Sequence, residues 1–151
     1  MNNVEKIIRG YIKDIVHMSI ATSRQNKPWI SEVHYSYDDD LNLYFVSRPE
    51  RRHSLEVADN KLIAGNIVKQ HAKGESVRGV YFEGVIEMLE DVKETDIAFK
   101  TYNERFDGDA SILEEQAEKN GHRWYKITVK KFYLFDELEM KPAGKYELEW
   151  K

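Results

Sequence analysis

Apolar positions recur at helical spacing once near the start, at Val4, Ile7, Ile8, Tyr11, Ile12 and Ile15, which predicts an amphipathic helix over 4–15. The pattern then changes to runs of alternating residues. VHMSIATS (16–23) reads as a short strand, and RQNKP as a turn fixed by Asn26 and Pro28. WISEVHYSY (29–37) puts Trp29, Ser31, Val33, Tyr35 and Tyr37 on one face. LNLYFVS (41–47) alternates again, and the short acidic turn between these two runs predicts a hairpin. A helix is expected over 49–59, with Pro49 in its first turn, where no N–H is needed. Strands follow at 62–69 and 77–89, joined by a loop at 71–76, and Gly79 and Gly84 suggest bulges that curl a sheet.

Asp91 and Glu94 resemble a capping box. Val92, Phe99, Tyr102 and Phe106 then form an apolar stripe read as helix packing. FDGD interrupts it, and a second short helix is expected over 110–120, ended by Asn120-Gly121. HRWYKITVKKFYLFDE (122–137) reads as one or two strands, followed by a polar tail. Strands arrive as antiparallel hairpins and not as βαβ units. The expected class is therefore mainly β with peripheral α-helices, a small antiparallel barrel in a single domain over 1–151.

Composition narrows the function. The formal net charge is −4, which argues against a nucleic-acid partner, since such a partner calls for a basic face. With no cysteine there is no disulfide framework, thiolate nucleophile or cysteine metal site. No run approaches a membrane span, and the charged N-terminus does not suit a secretory leader, so a cytoplasmic location is expected. The five histidines form neither HxH nor HExxH, and no metal site is expected. Asp38, Asp39 and Asp40 read as a solvated turn.

Against this acidic background SRPERRHS (47–54) concentrates positive charge between a strand end and a helix start. A helix N-terminus exposes unpaired N–H groups, and arginine adds a planar fork of donors suited to phosphate oxygens. A bound phosphate would offset the cost of placing cations at the positive end of a helix dipole. A charged solvated surface is the plainer explanation of the same residues.

The run MSIATSRQNKPWISEVHYSYDDDLNLYFVSRPERRHS resembles the FMN-binding split-barrel superfamily, whose best-known member is pyridoxamine 5′-phosphate oxidase. VRGVYFEGVIEMLEDVKETDIAFKTYNERF resembles the same pattern in a small uncharacterised bacterial branch. The resemblance implies a six-stranded antiparallel split β-barrel, assembled as a homodimer with FMN at the interface. It implies that Ser47, Arg51, Arg52 and His53 hold the flavin phosphate, that the ring lies along Ser31, Val33 and His34, and that Trp124 reaches the partner subunit's flavin. A flavin-dependent oxidoreductase with a reduced nicotinamide as possible donor is the leading expectation. A flavin-binding or sensor protein without turnover is the alternative, as is a haem-binding or haem-degrading relative with His17 or His71 as ligand; deazaflavin is a further cofactor candidate. The oxidase itself is not expected. Ser31 stands where the family places an arginine, no lysine lies between Lys27 and Lys61, and Gly79 replaces a glutamine. The tail KPAGKYELEWK also lacks the substrate-binding arginine–histidine cluster.

Overall fold

The computed structural model describes residues 1–151. Helix α1 (Asn3–Asp14) is capped by the Asn2 side chain, which accepts from the Glu5 N–H, and it buries Ile8, Tyr11 and Ile12. Strands β1 (His17–Arg24) and β2 (Lys27–His34) form the first hairpin. Then come β3 (Ser36–Tyr37), β4 (Leu43–Ser47), α2 (Arg52–Asp59), β5 (Leu62–Val68) and β6 (Gly79–Leu89). Helix α3 (Ile97–Phe106) and a single turn, α4 (Ser111–Glu114), precede the long strand β7 (Arg123–Phe135) and the final strand β8 (Lys145–Glu149).

All eight strands join one antiparallel sheet in the order β2-β1-β5-β6-β7-β4-β3, with β8 paired to β7. Strand β7 pairs with β6 along its length, while its other edge carries β4 at residues 123–127 and β8 at 131–135. The sheet curls at a bulge opposite Glu83 and Gly84, whose partners are Lys131 and Val129, so that Lys130 is left over. Glycine is required there, since a Cβ on residue 84 would stand 2.4 Å from the Thr128 carbonyl oxygen. The curl wraps the inner face around Ile20, Phe45, Phe82, Ile127 and Phe132, and α1 adds Ile8 and Ile12 to that core. On the outer face Tyr44 and Trp124 pack under Ala98 and Phe99 of α3. The two ends of the strand order, β2 and β3–β4, are not hydrogen-bonded to each other, which leaves an open, split barrel.

Several expected elements change. The barrel has eight strands where six were expected, for two reasons. The run 29–37 breaks at Tyr35, whose ring is fully buried and whose hydroxyl meets the Ile12 and Ile15 carbonyls at the end of α1. The polar tail also contains β8, in which Tyr146 and Leu148 pack on the core while Glu147 and Glu149 flank Lys131. Helix α2 starts at Arg52, after Pro49, and no side chain caps it. Asp91 takes left-handed backbone angles in a bend, so the capping box does not form; α3 starts after Asp96, whose carboxylate accepts from the Lys93 N–H. The segment 110–120 holds only α4 and a 3₁₀ turn at Glu115–Ala117.

Candidate functional site

Strand β2 has a single neighbour, β1, so its other edge presents unpaired backbone groups. Across the split lie the end of β4 and the start of α2. Between them is a cleft of about 350 Å³, lined by Glu32, Val33 and His34 from β2, Val46 and Ser47 from β4, Arg48, Arg51 and His53, with Tyr102 of α3 and His122 closing it. Glu32, Val33 and His34 also line a second hollow, of about 440 Å³, against β1 and β5.

Ser47 is buried, and its Oγ lies 2.7 Å from His53 Nε2, with the donor set by the imidazole tautomer. Burial pushes the His53 pKa below its ordinary value, and the Arg51 charge pushes it the same way, against a smaller opposing effect from Glu56. Arg48 and Arg51 are exposed, and neither guanidinium has a carboxylate partner. Two guanidiniums without an ion-pair partner, a hydroxyl and imidazoles thus line one cavity, with the Glu32 carboxylate at its β2 side. Glu115, beside the cleft, lies 2.5 Å from the His122 Nδ1 and accepts from the His122 N–H; these bonds hold its pKa below the ordinary carboxylate value, and the Arg48 charge adds to the effect. His34 stacks on Phe106, with ring centroids 5.4 Å apart.

The structure brings Val33, His34, Ser47, Arg51 and His53 together. Ser31 lies nearby on the inner face of β2 but does not line the cleft. Arg52 turns the other way. Its Nε donates to the buried Glu56 at 3.0 Å, its guanidinium stacks 4.2 Å over the Trp29 ring, and Glu56 also accepts from Thr22. Trp124 is fully buried on the outer face, edge-on to Phe99 and Tyr102. Of the haem-ligand candidates, His17 is hydrogen-bonded to Glu32 at 2.6 Å and His71 is exposed in the loop before β6. Residue patterns had not singled out Glu32, Tyr102 or His122 for the cleft. Tyr102 and His122 arrive from remote segments and carry no local signal; Arg48 lies inside SRPERRHS but is not among the residues the resemblance assigns to the phosphate.

A family model described as pyridoxamine 5′-phosphate oxidase matches residues 4–136. The chain belongs to that family. It is similar to the UPF0306 protein YhbP of Escherichia coli O127:H6, at 31% identity over 70% of this chain and 75% of that protein. Its fold is shared with HutZ, a heme storage protein of Vibrio cholerae, at TM-score 0.68 and 13% identity over 89% of this chain and 95% of the other. The General Stress Protein 26 of Bacillus anthracis superposes with TM-score 0.66 and 15% identity, over 97% and 100% of the two chains. Relatives of this fold therefore include heme proteins as well as the oxidase family. No helix is long and apolar enough to cross a membrane.

Proposed function

We propose that this member of the family is an FMN-binding protein that works as a homodimer. The observation that carries the reading is the pair of unpartnered guanidiniums, Arg48 and Arg51, facing the Ser47–His53 pair in one cleft. These four groups would hold the flavin phosphate, and a dianion would offset the Arg51 charge that acts on His53. The ring would lie along the open edge of β2 at Val33 and His34. In this reading Arg52 braces the cleft from behind through Glu56 and Trp29. FMN supplies hydride and electron transfer when bound; the chain supplies its binding and orientation. Reduction by a nicotinamide is the oxidoreductase extension of this reading, tested by anaerobic mixing of the FMN-loaded protein with NADH or NADPH. The dimer is supported by the exposed apolar residues Ile30, Leu62 and Val85 on the outer face of β2, β5 and β6.

Haem binding is the second reading, favoured by the likeness to HutZ. His17, His53 and His122 are engaged with neighbouring side chains, His34 stacks on Phe106 and His71 lies exposed away from the cleft, which ranks it second. The visible absorption spectrum of the purified protein, followed by identification of whatever is released on denaturation, separates the two. Released FMN, or uptake of added FMN, supports the proposal. A Soret band with no FMN uptake overturns it in favour of haem.

A further inference from the structure

The hollow beside the cleft differs from it in charge. On the outer face of the sheet, the cross-strand pair Ser19 and Glu32 stands next to the pair His17 and His34, with Asn66 on the β5 side of Ser19. His17 Nδ1 lies 2.6 Å from Glu32 Oε1, and the Ser19 hydroxyl donates to Oε2 at 2.7 Å. Each carboxylate oxygen has more than one lone-pair site, so Glu32 keeps acceptor capacity toward the open side. Asn66 adds an amide with both donor and acceptor. Neither lysine nor arginine lines this hollow, whereas the adjoining cleft holds two unpaired guanidiniums. Even with His17 protonated, its pair with Glu32 sums to zero charge.

We infer that this hollow takes the second reactant of the flavin site, and that it selects a small unphosphorylated molecule bearing an amine or several hydrogen-bond donors. The inference rests on the FMN reading for the identity of the neighbouring ligand. The contrast between the two cavities carries the choice of substrate class. A phosphate entering the hollow would meet a carboxylate and no fixed cation, whereas an amine would meet Glu32 across a short distance. The two ligands would adjoin because Glu32, Val33 and His34 border both spaces. This separates the chain from the reaction for which its family is named, whose substrate carries a phosphate of its own.

The test uses a matched pair, pyridoxamine and pyridoxamine 5′-phosphate, titrated calorimetrically into the FMN-saturated full chain. Flavin absorbance confirms that FMN stays bound throughout. Pyridoxamine is expected to bind at least about tenfold more tightly than its phosphate ester, a difference of about 1.4 kcal/mol. In Glu32→Gln, which keeps an acceptor oxygen for Ser19 but removes the charge, that preference is expected to fall toward parity. Tighter or equal binding of the ester, no heat from either compound, or an unchanged preference in Glu32→Gln overturns the inference while FMN binding stands. If FMN itself is not taken up, the functional reading fails separately. Pyridoxamine titrated into the flavin-free wild type and Glu32→Gln then still tests the hollow, and equal affinities overturn it.

Discussion

Burial first, and the neighbouring Arg51 charge second, disfavour protonation of His53. His53 titrates below its ordinary 6.5 because it is buried and faces the Arg51 guanidinium. Its folded-state pKa is depressed, so as pH falls below about 6.5 the unfolded chain takes up the proton first and native stability declines until the folded pKa is reached. Denaturant melts at pH 7.5 and 5.5 should show a smaller acid loss in His53→Gln than in the wild type; an equal loss would take His53 out of that account. A bound phosphate reverses the local field, so FMN should raise the His53 pKa, read from its imidazole resonances by NMR; a fall or no change would contradict the phosphate assignment. Arg51→Ala should weaken FMN binding by about 1.5–3 kcal/mol, the range for losing a hydrogen bond to a charged group. Arg52→Ala should instead lower the melting temperature while retaining more of the FMN affinity, because its contacts are Glu56 and Trp29. Local pattern makes Arg48, Arg51 and Arg52 equivalent cations in one run, and the resemblance assigns Arg51 and Arg52 but not Arg48 to the phosphate. Which way each side chain turns depends on Glu56, one helical turn further on, and on Trp29 from another strand, so local pattern could not separate them.

Elements were legible where one periodicity governed them and obscure where a tertiary contact intervened. The spacing of Ile8, Tyr11 and Ile12 gave α1, and the alternation in LNLYFVS gave β4, because each packs one face on the core. The break at Tyr35 was not legible: it depends on the Ile12 and Ile15 carbonyls, distant in sequence until the fold forms. Strand β8 was missed because only Tyr146 and Leu148 interrupt its charged residues, and its ladder is supported by Lys131 from another strand. Gly84 was read as a bulge from its type and position, and the structure supplies the cause in the Thr128 carbonyl. Gly84→Ala should therefore cost about 1–3 kcal/mol, as overpacking against backbone does. Trp124 sits in the α3 layer with no exposed surface. Trp124→Ala should cost about 3–5 kcal/mol in urea unfolding, the range for emptying a buried aromatic site. A variant with unchanged stability but lost cofactor affinity would instead return Trp124 to a ligand-contact role.

For the whole molecule, the curled sheet matters because its two ends do not pair. That gap lets the open edge of β2 face the start of α2, and it brings residues from β2, β4, α2 and α3 to one cleft. The outer face exposes Ile30, Leu62 and Val85 on β2, β5 and β6, and burying them against a second copy would complete the assembly proposed for the family member. Light scattering should return the mass of a dimer for the wild type and a lower mass for Leu62→Glu; a monomeric wild type would contradict the dimer. In the proposed function the cleft recognises its ligand through a phosphate. That recognition is tested most directly by titrating the wild-type chain with FMN and with riboflavin, which differ only in that group, and following flavin fluorescence. FMN should bind at least about tenfold more tightly, because two guanidiniums would donate charge-assisted hydrogen bonds to its phosphate. Equal affinities, or binding of neither flavin, would contradict it.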